Sequence, residues 1–189
     1  MGAVAMAVPE PATEAMTGEE FFKLYSHRRA ELVDGVVVEE EMPSLRHGQV
    51  CMKIGRYLAN FVEERDLGQA FSNDSLIRVK KTPDTVRGPD ICFVSYDSLP
   101  KGPAPEGISD LVPELVVEVR SPSNTWPKIL AKVAEYLTHG IATIVVLDPD
   151  GMTASVFRES GHQIFYAGQE LTVPDVLPGF AIPISKLFD

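Results

Sequence analysis

Asp90 follows Pro89 at the start of a predicted strand, and Glu118 lies inside a second strand candidate. Carboxylates on neighbouring strands can converge on one hard divalent cation through oxygen ligands, and two such ligands completed by waters suit Mg²⁺ or Mn²⁺. A cation held in this way polarises a phosphoryl oxygen and activates a water, while a nearby lysine orients that water or stabilises the developing charge. Each residue alone has an ordinary explanation, because Pro-Asp is a common turn before a strand and a strand Glu commonly faces solvent. The pair is what points to chemistry.

The elements that must position the pair can be read from spacing. Thr17-Gly18-Glu19-Glu20 opens a short helix, with Thr17 as N-cap three residues before Glu20. Residues 31–38 read as two short strands around Asp34-Gly35, a strong hairpin signal. From His47 to Glu64 the apolar residues Val50, Ile54, Tyr57, Leu58, Phe61 and Val62 form one helical stripe. Residues 71–79 and 90–94 are strand candidates, separated by a polar loop containing Pro83, Asp84 and Gly88.

Glu114 to Arg120 alternates as a strand, with Glu114, Val116, Glu118 and Arg120 on one face and Leu115, Val117 and Val119 on the other. Ser123, Asn124 or Thr125 can cap the next helix, whose stripe is Ile129, Val133, Tyr136 and Leu137 and which Gly140 ends. Residues 141–147 form a buried strand, and residues 153–157 and 163–166 form two more after the turn at residues 148–151. The segment from Leu171 to Leu187, with Pro174, Pro178 and Pro183, reads as mostly irregular. The order implies an α/β (α+β) chain with a mixed central sheet flanked by helices and an extra N-terminal hairpin, rather than a doubly wound parallel sheet. No Gly-rich phosphate loop or dinucleotide fingerprint is present, so nucleotide and NAD chemistry lack support.

At 189 residues and 44% hydrophobic, the chain suits one domain with one sizeable core. We expect a disordered tail over 1–16 and a single domain over 17–189. No run approaches the roughly 18 to 20 apolar residues of a membrane span. Cys51 and Cys92 stand far apart without Cys-x-x-Cys spacing, which fits a reducing cytoplasm. The net charge of −10 weighs against tight phosphate neutralisation, although a cation bound among clustered carboxylates offsets local acidity.

The ordered series Glu31-Leu32-Val33-Asp34-Gly35, Gly88-Pro89-Asp90-Ile91, Leu115 to Val119 with Ser121-Pro122-Ser123, then Lys132, Tyr136 and Gly140, resembles the Uma2 family. That family is similar to restriction endonucleases of the PD-(D/E)xK superfamily. The resemblance runs from about Thr17 to Asp150. It implies a restriction-endonuclease-like core in which Asp90 and Glu118 hold Mg²⁺ or Mn²⁺ and the backbone carbonyl of Val119 completes the shell.

One position departs from the superfamily pattern. The superfamily lysine lies two residues after the glutamate, where this chain has Arg120, a catalytic candidate that can position substrate or stabilise charge but, because arginine does not deprotonate in a protein, cannot act as a base. The resemblance places the lysine on the following helix, at Lys132. On a helical wheel Lys132 lies one turn from Ile129 and Tyr136, at the edge of the apolar stripe, where a long side chain can reach inward. The alternative is a surface lysine beside Lys128 and Glu135. Family position also makes Glu31 a third acidic candidate.

His47 opens the long helix and is a further site candidate, though a lone histidine is more often structural. His27, His139 and His162 show no ligand spacing, and Trp126 and Tyr136 read as core. The leading expectation is a divalent-metal-dependent endonuclease hydrolysing DNA, acting as a homodimer so that both strands can be cut. Two others stand beside it: a catalytically silent nuclease-fold binding protein, favoured by the acidic charge and by Arg120, and a metal-dependent hydrolase of small phosphorylated molecules.

Overall fold

The computed structural model describes residues 15–72, 74–122 and 124–189. Most of the expected tail, residues 1–14, lies outside them. Met16, at the tail's predicted end, belongs to the folded body: its backbone N–H donates to Gly35 O at 3.0 Å and its side chain packs against the cluster of Phe21, Leu32 and Val86.

Helix α1 (Gly18–Tyr25) starts with the predicted capping box between Thr17 and Glu20. Strands β1 (Ala30–Val33) and β2 (Val36–Glu39) meet at Asp34 and Gly35, whose φ values of 50° and 75° suit a tight primed turn. Helix α2 (Leu45–Glu64) is capped by Ser44 and buries Val50, Ile54, Leu58 and Val62, each contributing roughly 1.5–3 kcal/mol by burial.

The single strand expected over 71–79 is instead two, β3 (Gly68–Ser72) and β4 (Ile77–Lys80), which enter different sheets. Asp74, at φ 57°, lies in the link between them. The breaker-rich loop that follows holds a third strand, β5 (Thr85–Arg87). Then come β6 (Ile91–Ser95), β7 (Leu115–Val119), α3 (Trp126–His139), β8 (Thr143–Asp148), β9 (Thr153–Arg158) and β10 (Gly161–Phe165). Gly140 ends α3 in the left-handed conformation, at φ 99°.

The C-terminal segment corrects the expectation of irregular chain. It forms β11 (Glu170–Thr172), β12 (Ala181–Pro183) and α4 (Ile184–Phe188), and buries Leu171, Leu177, Ile182, Ile184 and Leu187. Its prolines sit where they break nothing: Pro174 and Pro178 fall between the paired strands, and Pro183 precedes the first turn of α4.

A six-stranded mixed sheet runs β10-β9-β8-β7-β6-β3, in which β7 and β8 are parallel and α3 connects them. A four-stranded antiparallel sheet runs β2-β1-β5-β4. Helix α2 and the C-terminal segment cover one face of the large sheet, meeting Val117 and Val119, and α3 covers the other, meeting Val116. Every residue of β7 is therefore buried, and its alternation separates two cores instead of core from solvent.

Candidate active site

Strands β6 and β7 pair antiparallel with Ile91 opposite Val117, which brings Asp90, immediately before β6, to the end of β7 that carries Glu118 and Val119. Both carboxylates line one cavity of about 470 Å³, together with Glu31, His47, Asp74 and Lys132.

Asp90 Oδ2 accepts the Val119 N–H at 2.7 Å and faces His47 Nε2 at 3.3 Å. The hydrogen bond from His47 to Asp90 raises the imidazole pKa despite burial, and the carboxylate's charge adds to the effect.

Glu118 is 8% exposed. Its Oε1 accepts the Tyr136 hydroxyl at 2.7 Å, and its Oε2 lies 3.7 Å from Lys132 Nζ. Burial pushes its carboxyl up to about 7; Lys132 pulls down, while Asp90 and Glu31 push further up.

Lys132 reaches inward from α3, and its ammonium lies 2.9 Å from Glu31 Oε1. Burial alone would lower its pKa, but Glu118 and Glu31 more than reverse that, so the amine stays charged. A charged amine donates and stabilises; it does not act as a base.

Glu31 and Arg87 stand opposite each other on β1 and β5, one step from the pair Leu32–Val86. Glu31 accepts from Arg87 at 2.7 Å and from the Gly88 N–H at 3.1 Å. Burial raises its pKa, and Lys132 and Arg87 outweigh that, leaving the carboxyl below its ordinary value. With both oxygens engaged, Glu31 fixes Lys132 and the Gly88-Pro89-Asp90 turn instead of offering a free ligand. Arg120 is held by Asp148 and Asp150, each at 2.9 Å.

Three participants were not found by sequence reasoning. Tyr136 was assigned to the core by its stripe position; a buried tyrosine hydroxyl needs a partner, and four residues after Lys132 that partner is Glu118. Arg87 lay in a segment taken for loop. Asp74 lines the cavity, held up in pKa by burial and faced by Arg29 at 3.4 Å. Nothing in its local sequence marked it.

Two carboxylates and a peptide carbonyl are hard oxygen donors, and this donor set fits Mg²⁺ or Mn²⁺ better than a thiophilic ion.

The sequence model of the Uma2 family, described as "Putative restriction endonuclease", matches residues 19–185. No curated protein matches the chain. Among solved structures, a crystal structure described as "a putative nuclease belonging to DUF820 from Anabaena variabilis" superposes with a TM-score of 0.79 at 22% identity, covering 92% of this chain and 97% of that one. At that identity the likeness shows a shared fold.

Proposed function

The chain belongs to the Uma2 family, and from that premise we propose that it is a divalent-metal-dependent endonuclease hydrolysing DNA phosphodiester bonds. Asp90, Glu118 and the Val119 carbonyl would hold Mg²⁺ or Mn²⁺. The observation that carries this reading is Lys132, brought from α3 to 3.7 Å from Glu118 in the cavity that Asp90 also lines. A bound divalent cation supplies Lewis acidity toward a phosphoryl oxygen and lowers the pKa of a coordinated water.

The protein's own groups then have distinct tasks. The Lys132 ammonium donates to a phosphate oxygen and stabilises charge that develops there. Glu31 and Arg87 fix the Lys132 side chain, and the Tyr136 hydroxyl fixes one oxygen of Glu118. Arg120 is bound by two aspartates and does not line the cavity that Asp90, Glu118 and Lys132 share, so the basic role falls to the lysine.

A second reading, hydrolysis of small phosphorylated molecules, is favoured by the acid-rich cavity, whose lining includes Glu31, Glu40, Glu41, Asp74, Asp90 and Glu118. A homodimer would let a single-site domain cut both strands. Two free cysteines suit a cytoplasmic protein. Among the described residues no helix is long and apolar enough to cross a membrane.

The deciding experiment is Mg²⁺- or Mn²⁺-dependent cleavage of plasmid and single-stranded DNA, set against an Asp90→Ala control and against small phosphodiesters. Metal-dependent cleavage of DNA lost in Asp90→Ala is the expected result. Equal activity in the variant, or none in either protein, would remove the proposal, and turnover of small esters alone would favour the second reading.

A further inference from the structure

We propose that His47, Cys51 and Asp90 form a second cation site of thiophilic character, suited to Zn²⁺ or Co²⁺, and that its occupancy withdraws Asp90 from Glu118. The site stands on its own geometry; its consequence for cleavage rests on the function proposed above.

His47 and Cys51 are one turn apart on α2, so their side chains share a face. Cys51 Sγ lies 3.4 Å from His47 Nδ1, and His47 Nε2 lies 3.3 Å from Asp90 Oδ2. One ligand atom from each residue lies within 4.8 Å of the other two, the one such grouping of three among the described residues. A separation of 3.3 Å matches the edge of a tetrahedron with arms of roughly 2.0–2.1 Å, the length of zinc bonds to nitrogen and oxygen. The ring offers one nitrogen to an ion, and a turn of the imidazole or of the Cys51 thiol closes the set.

The donor types decide the ion. Nitrogen, sulfur and oxygen together suit borderline cations, whereas Mg²⁺ has little use for sulfur. On binding, the thiol loses its proton to solvent and the thiolate ligates. Access is open, because all three residues line a second cavity, of about 530 Å³, on the α2 side of the first. Gly48 borders that cavity, and a Cβ there would meet nothing within 4 Å. Cys92 is buried in the core beneath α3 and takes no part.

Asp90 is the residue common to both sites, so a cation drawn toward Cys51 competes with one drawn toward Glu118. The test is titration of Co²⁺ into the metal-free full chain, following the near-ultraviolet thiolate-to-cobalt band. The expected result is a saturable band at one equivalent, displaced by Zn²⁺, retained in Cys92→Ser and lost in Cys51→Ser, with affinity falling roughly 100-fold in His47→Ala. Protection of Cys51 from alkylation by Zn²⁺ in the unaltered protein gives the same information without a variant that has to fold. Absence of a band and of protection, or a band that survives in Cys51→Ser, overturns the proposal.

In Mg²⁺-supported cleavage, equimolar Zn²⁺ should inhibit the unaltered protein and spare Cys51→Ser; equal inhibition of both overturns the competition. If no DNA is cut with any metal, the nuclease reading fails while the cobalt spectrum still decides the site.

Discussion

Lys132 Nζ lies nearer to Glu31, at 2.9 Å, than to Glu118, at 3.7 Å. The lysine's main anchor is thus a residue of the four-stranded sheet, and through it the small sheet sets the position of a charge that serves the large one. Glu31 also binds the Gly88 N–H, two residues before Asp90, so one buried carboxylate orients both the amine and the turn that carries a proposed ligand.

Arg87 is the support whose loss should cost most. Its guanidinium pairs with Glu31 at 2.7 Å and with Glu135 at 2.6 Å, and both Arg87 and Glu31 are buried. Arg87→Ala leaves a buried carboxylate with less compensation and should cost about 3–5 kcal/mol in denaturant unfolding. The double variant Arg87→Met with Glu31→Met should stay well below the unaltered protein in stability and should not cleave, because the buried Lys132 ammonium and the Gly88 N–H lose the acceptor they share. Loss of less than about 1 kcal/mol in the single variant would contradict a buried, mutually dependent pair.

Tyr136→Phe removes one oxygen atom from the core and with it the donor to Glu118. We expect a loss of about 1–2 kcal/mol in thermal unfolding, the range for a buried acceptor left short of a partner. Because the hydroxyl holds Glu118 down in pKa, the variant should also need a higher pH to bind Mn²⁺. An unchanged binding profile would mean that the hydroxyl serves packing alone.

What could be read in the sequence follows from where information is local. Thr17 with Glu20, Asp34 with Gly35 and the stripe of α2 are short-range patterns, and each appears where its spacing predicts. That Asp90 and Glu118 line one cavity needs only one antiparallel pairing between strands consecutive in the chain. The rest depends on distant partners. Strand β5 is three residues among breakers and exists because β1 and β4 flank it. The C-terminal apolar residues follow neither period and are fixed by filling the α2 side of the core. That Glu118 has a hydroxyl above it and Glu31 a guanidinium opposite it is a matter of register, which propensity does not encode.

Lys132 and Arg120 can be separated by kinetics. Lys132→Ala should lower single-turnover cleavage by about 10²–10³-fold while Mn²⁺ still binds, since the lysine stabilises charge and the ion is held by oxygens. Arg120, tied to Asp148 and Asp150, should behave as a structural arginine, and Arg120→Ala should cost about 1 kcal/mol of stability with cleavage reduced only a few-fold. An active Lys132→Ala beside a dead Arg120→Ala would return the basic role to the strand position.

The pH dependence of the metal-free protein tests the electrostatics of Glu118. Its pKa in the fold is about 7 against 4.5 when unfolded, so between those values the native state keeps a proton that the unfolded chain has released. Stability rises with pH only where the unfolded state binds more protons, and here the reverse holds. The contribution of Glu118 is therefore complete below pH 4.5 and is lost as pH rises through about 7, a loss of order 3 kcal/mol. Cation binding runs the other way, because the ligand must be ionised: between about pH 6 and pH 8 the ionised fraction, and with it the Mn²⁺ affinity, should rise about tenfold. His47, whose pKa is raised, loses its stabilising proton in the same direction at higher pH, so its share must be subtracted. Glu118→Gln does that, since it cannot titrate. Denaturation midpoints and calorimetric Mn²⁺ titrations at several pH values should show the unaltered protein losing stability toward pH 8 relative to Glu118→Gln, and a variant with weak Mn²⁺ binding at every pH. Parallel stability profiles for the two proteins would mean that Glu118 is ionised throughout, and that burial against α3 does not hold its proton.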